Sequence, residues 1–314
     1  MESAQSLKRR IKSVGNIGQI TKAMELVAAT KMRRSQEFAL ASRPYAYAAL
    51  ELLGILSDLT DVPLPELLRA RPVAKRLFVI VTSDKGLAGA FNGAVIRTFE
   101  SFIAREGIDL RSGGLSFVAV GQKAKAYLER RKLSVIASFT HVGDFTRPEE
   151  VDPISEVLIE GYLRGDFDRA TVFFTTFVTT LRQEPVAREF LPVSYEAVKQ
   201  SIEETIPRAG RYSEYAKSES FFSAGERPPE YIIEPSPHEV LSRLASQLLK
   251  ARLYHAILEA NASEHSARRV AMKNASENAA ELSDALSVEY NKSRQAGITR
   301  ELIEVTSGAE SLSS

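Results

Sequence analysis

Cysteine is absent from the 314-residue chain. There can be no disulfide, no thiolate metal site and no cysteine nucleophile, and a reducing compartment is compatible with that composition. No run of about 18 apolar residues occurs, so no membrane-spanning helix is expected. The opening MESAQSLKRRIKSVG has no apolar core of a secretory signal, and it leads straight into a patterned helix, unlike a transit peptide. Histidine is scarce: His141, His238, His255 and His265 include no pair four apart and no HExxH, which leaves no metal motif. GxSxG is missing too. Proline is missing from both ends, with none before Pro44 and none after Pro237.

Net charge is nearly absent as well, with 41 Lys+Arg against 40 Asp+Glu. That balance conceals segregation. Residues 1–43 hold nine basic and three acidic residues, a balance of +6, whereas residues 196–234 hold eight acidic and five basic ones, a balance of −3. A charge run is most simply a solvated face; an unevenly charged chain can also be read as presenting a basic arm to a partner.

The proline-free ends read as long helices. Leu7, Ile11, Val14, Ile17, Ile20, Met24 and Val27 recur at three and four, and Ala, Leu and Glu dominate through Leu56. Ser236-Pro237-His238-Glu239 combines an N-cap serine, a proline at the first helical position and a glutamate three residues after the cap. Beyond it, Leu241, Leu244, Leu248, Ala275, Ala279, Leu282, Leu286, Ile298, Leu302 and Val305 mark an apolar stripe. A helix over 237–308 would measure about 105 Å at about 1.5 Å per residue, roughly twice the diameter of a compact globule of this length. Its stripe needs a partner along its length. The N-terminal helix supplies one, and helices leaving one domain pair antiparallel.

Between them strands and helices alternate: strands at 77–82, 115–120, 133–139, 170–178 and 185–193, with helices at 88–105, after the second strand through about 131, and at 152–163. The last two strands form a hairpin-like pair. The expected fold is an α/β, Rossmann-like, mostly parallel central domain plus a long antiparallel coiled coil of the two terminal helices. The expected divisions are 1–60 for the N-terminal helix, 75–193 for the α/β domain, 194–235 for a polar linker or insertion, and 236–314 for the C-terminal helix.

No convincing active site emerges. The turn TSDKGLAGAFN (82–92) places Gly86, Gly89 and Gly93 at a helix start, where amides could hold a phosphate. Its spacing, however, fits neither GxGxxG nor GxxxxGK[ST], and a tight strand-to-helix turn explains it better. The basic first helix has no aromatic interleaving between residues 1 and 37, which speaks against nucleic acid. Glu149-Glu150 and Glu203-Glu204 lie in polar stretches unsuited to acid–base work. No catalytic, cofactor or metal site is expected.

Two stretches carry a resemblance. IKSVGNIGQITKAMELVAATKMRRSQ (11–36) and ASEHSARRVAMKNASENAAELSDALSVEYNKSRQAGITRELIEVTSGAESL (262–312) closely resemble the terminal helices of the γ subunits of F-type ATP synthases. The turn at 82–92 and EPSPHEVL (234–241) are similar to the same family. The resemblance implies a non-catalytic central rotor, present in one copy, that turns inside an α3β3 ring, rests on a membrane c-ring with an ε subunit, and couples proton-driven rotation to ATP synthesis and the reverse. It implies coupling contacts at Met24, Arg268, Gln295 and Thr299, an apolar bearing tip at Leu302, Ile303 and Val305, and a c-ring contact at Tyr231 and Glu234. Lys8, Arg9 and Arg10 would face acidic parts of β. The residues alone leave plainer readings open: seam packing for Met24, and solvated helix faces for Gln295, Thr299 and the basic triplet. Gln295 and Thr299, four apart, fall on one helix face. The implied location is the cytoplasmic face of a bacterial plasma membrane.

Some residues depart from the family pattern. Gly15 and Gly18 stand where better helix formers are usual, each costing about 1 kcal/mol relative to alanine. Arg300 replaces a commoner glutamine, Ala88 replaces a frequent cysteine, and residues 196–230 are longer than in many bacterial relatives. Without cysteine, the redox switch of photosynthetic relatives is excluded. The rival readings are a nucleotide-binding α/β enzyme with a coiled-coil dimerisation arm and, more remotely, a basic coiled-coil nucleic-acid binder.

Overall fold

The computed structural model describes residues 3–41, 63–142, 146–194 and 233–313, with side chains to 307. The expected helix beyond residue 41, the insertion at 196–230 and Tyr231 fall outside the described residues.

The elements are α1 (Ala4–Ala41), β1 (Arg76–Val81), α2 (Phe91–Arg105), β2 (Leu115–Val120), α3 (Gln122–Arg130), β3 (Val135–Phe139), α4 (Pro148–Arg164), β4 (Arg169–Phe177), β5 (Gln183–Leu191) and α5 (Pro237–Ser313). The chain divides into two compact units, one of residues 1–28 with 268–314 and the other of residues 29–267.

The larger unit, the body, is built on a five-stranded sheet ordered β3-β2-β1-β4-β5. β1 pairs in parallel with β2 and β4, β2 pairs in parallel with β3, and β5 closes the edge antiparallel to β4. The sequence pattern anticipates this because β1, β2 and β4 read as continuous apolar runs, which strands covered on both faces require. On one face Phe78, Phe99, Phe117 and Phe173 form a ring cluster with centroid separations of 5.2–6.1 Å. Edge-on contacts dominate it, as the ring quadrupoles favour. On the other face α4 packs beside the first turns of α5: Leu241, Ala245, Leu248, Leu249, Leu253, Ala256 and Ile257 are buried with Ile154, Leu158 and Tyr162. The start of the C-terminal helix is therefore part of the α/β core.

The α5 cap forms as expected, with the Glu239 amide donating to Ser236 Oγ at 3.3 Å. α4 begins four residues earlier than 152. Pro148 takes its first turn, where no N–H is needed, and Pro153 forgoes one bond near the open end. A half-buried clasp fixes the approach to β1. Arg71 Nε sits 2.8 Å from Asp168 Oδ1, and its guanidinium lies 4.2 Å over the Tyr162 ring. Asp168 Oδ2 accepts from the Ala74 and Lys75 amides, each at 2.9 Å.

In the smaller unit, the shaft, α1 and the C-terminal part of α5 pair along a seam. Ala4, Leu7, Ile11, Val14, Gly18, Thr21, Glu25 and Ala28 are the covered positions of α1, at alternating intervals of three and four. That is the 3.5-residue period of a coiled coil. On α5 the covered positions include Met272, Ala275, Ala279, Ser283 and Leu286. Here the apolar reading needs correction. From Val14 onward it follows the wrong face: Ile17, Ile20 and Val27 are 52%, 58% and 54% exposed, and Leu282 also stands outside. The seam passes instead through small and polar residues. Small residues let the backbones approach: a Cβ on Gly18 would lie 3.4 Å from Ala279 Cβ, and Ser276 Oγ donates to Gly18 O at 3.5 Å. Glu25 is buried in this seam, with Lys22 Nζ 2.9 Å from its Oε2.

Candidate functional site

In a parallel α/β sheet, ligands bind outside the carboxyl ends of the strands. In this chain that place is filled from within. Thr82, Ser83 and Asp84, leaving β1, satisfy the opening amides of α3. Asp84 Oδ1 accepts from Gln122 N at 2.9 Å, Ser83 O from Lys123 N at 3.2 Å, and Thr82 Oγ1 from Ala124 N at 2.7 Å. A phosphate at this helix terminus would have to displace a carboxylate. The other Asp84 oxygen accepts from His141 N at 2.8 Å, tying in the chain after β3. Asn92, at the start of α2, closes the turn by accepting from Ser83 N at 2.9 Å and donating to Ser83 Oγ at 2.7 Å. Gly121 is required here: its φ is 91°, and a Cβ would collide with the Thr82 carbonyl. The residues that leave β1 thus fill the α3 terminus from within, whereas α2, which the glycines precede, opens without a side-chain cap.

The shifted titratable groups are structural. Burial pushes the Tyr127 hydroxyl up to about 12, helped by its bond to Glu100. Burial also raises Tyr162 and Tyr254. The Lys75 amide, with the Ala74 amide and Arg71, holds Asp168 below the usual carboxylate range. No group of three or more His, Cys, Asp or Glu among the described residues could hold a metal. His255 and His265 are buried in α5, and His238 Nδ1 meets Pro63 O at 2.9 Å.

The remaining chemistry lies on helix surfaces. Met24 is half-buried, next to Glu25 and covered to the same degree as the seam positions Gly18 and Thr21. Arg268 is half-buried on α5, and Lys8, Arg9 and Arg10 are exposed on the first turns of α1. From Arg294 to Ser307 every residue of α5 is exposed. Gln295 and Thr299 lie in that stretch. The Thr299 hydroxyl donates to Gln295 O at 3.0 Å, so this pair presents one amide and one methyl rather than two free polar groups. Leu302, Ile303 and Val305 are 61%, 58% and 70% exposed. Glu234 is exposed, before the α5 cap. The sequence-selected residues thus do not converge on one pocket; they are spread along helices.

Two features escaped the sequence. One is the outward apolar face of Ile17, Ile20 and Val27 on α1; its only signal was an excess of apolar residues over what one seam can take. The other is Leu87, 63% exposed with a φ of 63°. A bulky side chain in left-handed backbone is strained, and strain of this kind gathers at functional surfaces. Composition offers no hint of it.

The family model described as ATP synthase matches residues 3–312. An ATP synthase gamma chain of Roseiflexus castenholzii is 38% identical over 314 residues, covering 99% of both chains. One of Moorella thermoacetica is 36% identical over 312 residues, covering 99% of this chain and all of its own. Among solved structures, the Euglena gracilis mitochondrial ATP synthase OSCP/F1/c-ring assembly contains a chain with a TM-score of 0.62 at 17% identity, covering 98% of this chain and 94% of that one. The Tetrahymena thermophila central stalk/c-ring gives 0.56 at 21% identity over 82% and 99%. At these identities the structural likeness speaks for the fold alone.

Proposed function

The chain belongs to the ATP synthase gamma-chain family, and from that premise we propose that it is the central rotor shaft of a rotary ATP synthase, carrying torque and catalysing nothing itself. The observation that carries this reading is the end-to-end match to gamma chains, terminal helices included. The physical arrangement suits it. A rotor inside a ring must pass the same stator residues repeatedly, so it cannot rely on fixed hydrogen bonds. An outward apolar face on α1, and an α5 tip of Leu302, Ile303 and Val305, allow sliding contact.

In this reading the shaft turns inside an α3β3 ring as a single asymmetric copy. Each catalytic β subunit meets a different face of it in turn and is biased toward open, ADP-plus-phosphate-binding or ATP-holding forms by differential contact. Met24, Arg268, Gln295 and Thr299 make the coupling contacts, joined by Ile17, Ile20 and Leu87. Lys8, Arg9 and Arg10 face acidic parts of β. The foot, with Tyr231 and Glu234, rests on the c-ring beside ε. No helix among the described residues is long and apolar enough to cross a membrane, which accords with a peripheral subunit on the cytoplasmic face of a bacterial plasma membrane. Proton flow drives rotation toward synthesis, and hydrolysis in β reverses it.

Co-purification tests the reading. The chain is expected to recover α- and β-type ATPase subunits, and an isolated chain that hydrolyses ATP, or never associates with α3β3, overturns it. A second test separates coupling from packing: Met24→Lys should impair ATP-driven proton pumping more than assembly, whereas equal loss of both would assign Met24 to packing.

A further inference from the structure

One groove of the body, about 660 Å³, has no part in the rotor reading. It runs between α2 and the outer edge of β5. Arg97, Ser101 and Arg105 line the helix side at intervals of four, hence along one face. Arg97 is exposed, and its guanidinium lies back over Gly93, where a Cβ would come within 3.2 Å of Nη1. Arg105 rests 5.5 Å over the Phe102 ring, with only a loose 3.8 Å approach to Glu106. Pro185 and Ala187 form the floor, paired across to Thr175 and Phe173. Both are small, so the floor is low.

The far wall is backbone. β5 ends the sheet, and among the described residues β4 is its only strand neighbour. In an antiparallel pair, alternate residues turn both backbone groups toward the partner and both away. Pro185 has no N–H, and an edge strand accommodates proline where that group would point outward. Ala187, two residues on, therefore turns its N–H and C=O outward. Pro185 blunts indiscriminate pairing and leaves Ala187 as the two-way docking point.

Charge identifies the occupant. Among the described residues lining the groove none is acidic. The nearby Glu184 and Glu189 are engaged by Arg182 and Arg169. Two guanidiniums on a rigid helix are matched by carboxylates. Spacing agrees as well: eight helical residues span about 12 Å, and four strand residues about 13 Å. Acids four apart in an extended chain thus reach both arginines, with the residue between them facing Ser101. Nucleic acid would want stacking rings, and the single ring here, Phe102, is half-buried beneath Arg105.

We propose that the β5 edge is a docking site for an extended acidic segment of another protein, added as a sixth strand with carboxylates on Arg97 and Arg105. The proposal uses none of the coupling, tip or foot residues and stands or falls independently of the rotor reading.

The probe is a labelled peptide VEVSVEV, titrated onto the full chain by fluorescence anisotropy at low salt. Binding is expected, with hydrogen-exchange protection over residues 183–191. The pair Arg97→Gln and Arg105→Gln, both on an exposed helix face, should weaken it at least tenfold, while Arg97→Lys with Arg105→Lys retains part of it. VKVSVKV should not bind. No measurable binding, equal binding of the lysine peptide, indifference to the glutamine pair, or equal displacement by an oligonucleotide of the same charge each overturns the proposal.

Discussion

The body and the shaft differ in how many of their large apolar side chains they bury. In the body Phe78, Phe99, Phe117, Phe173, Tyr162 and Phe190 are almost wholly buried. In the shaft the seam buries Leu7, Met272 and Leu286 but otherwise runs largely through small and polar residues such as Gly18, Thr21, Glu25, Ala28 and Ala279, while Ile17, Ile20, Val27, Leu282 and Val288 are exposed. A fold that needs only stability buries its large residues, because each contributes about 1.5–3 kcal/mol. A pair of helices that leaves them outside gives up that contribution for a contact surface. Burial of large side chains thus stabilises the body more than the shaft, where several of them are left for contact with the surroundings.

The strongest way to break the comparison is to truncate one large side chain in each region. Phe173→Ala opens a void under Phe78, Phe99 and Phe102 and should cost about 3–5 kcal/mol in urea unfolding of the full chain. Leu302→Ala, on the exposed tip, should stay within about 0.5 kcal/mol. Comparable losses would mean that the tip is buried in the free chain.

The clasp comes next. Asp168→Asn leaves the Arg71 guanidinium without its counter-charge and should cost about 2–3 kcal/mol. The sign with pH follows from the lowered carboxyl. Its contribution is fully present above the unfolded carboxylate pKa near about 3.9, and is lost as pH falls through the lower folded value. The gap between parent and variant should therefore be constant near neutrality and close in acid. A gap that widens in acid would show that the carboxyl is not held ionised by its partners.

The sequence was legible where burial is strong and obscure where it is absent. β2 was placed at its bounds because LSFVAV lies between helices and is covered on both faces, and the α5 cap was placed because Ser236, Pro237 and Glu239 each carry a local reason to start a helix. The seam was lost after Val14 because a periodicity argument sends isoleucine and valine inward. Gly18, Thr21 and Glu25 carry no hydrophobic signal, and only the close approach of Ala279 shows why they are inside. The proposed coupling, tip and foot residues rest on family resemblance rather than chemistry, since contacts that slide need no catalytic group and leave no motif. Leu87 was invisible because its strain belongs to the backbone.

A smaller effect sharpens the account of the seam. Gly15 has open space where a Cβ would stand. Gly15→Ala should stabilise the shaft by up to about 1 kcal/mol, read as slower amide exchange along α1. Gly18→Ala gains the same helix propensity but meets Ala279 Cβ at 3.4 Å, so it should gain less. An equal gain at both positions would mean that the helices do not approach as closely as the seam requires.

The smallest expected effect on stability is the most telling. Replacing Ile17, Ile20 and Val27 together by alanine removes three side chains that are each more than half exposed. Helix propensity improves slightly, little burial is lost, and the free chain should unfold within about 0.5 kcal/mol of the parent. In the assembled ATPase the same substitutions strip the apolar face that the rotor reading sets against the ring. Proton pumping per ATP hydrolysed should therefore fall while the complex still assembles. If pumping is unchanged, the outward face is ordinary solvated surface and coupling rests on the α5 side alone. If instead the free chain loses several kcal/mol, those residues belong to the fold, and the contrast between body and shaft fails.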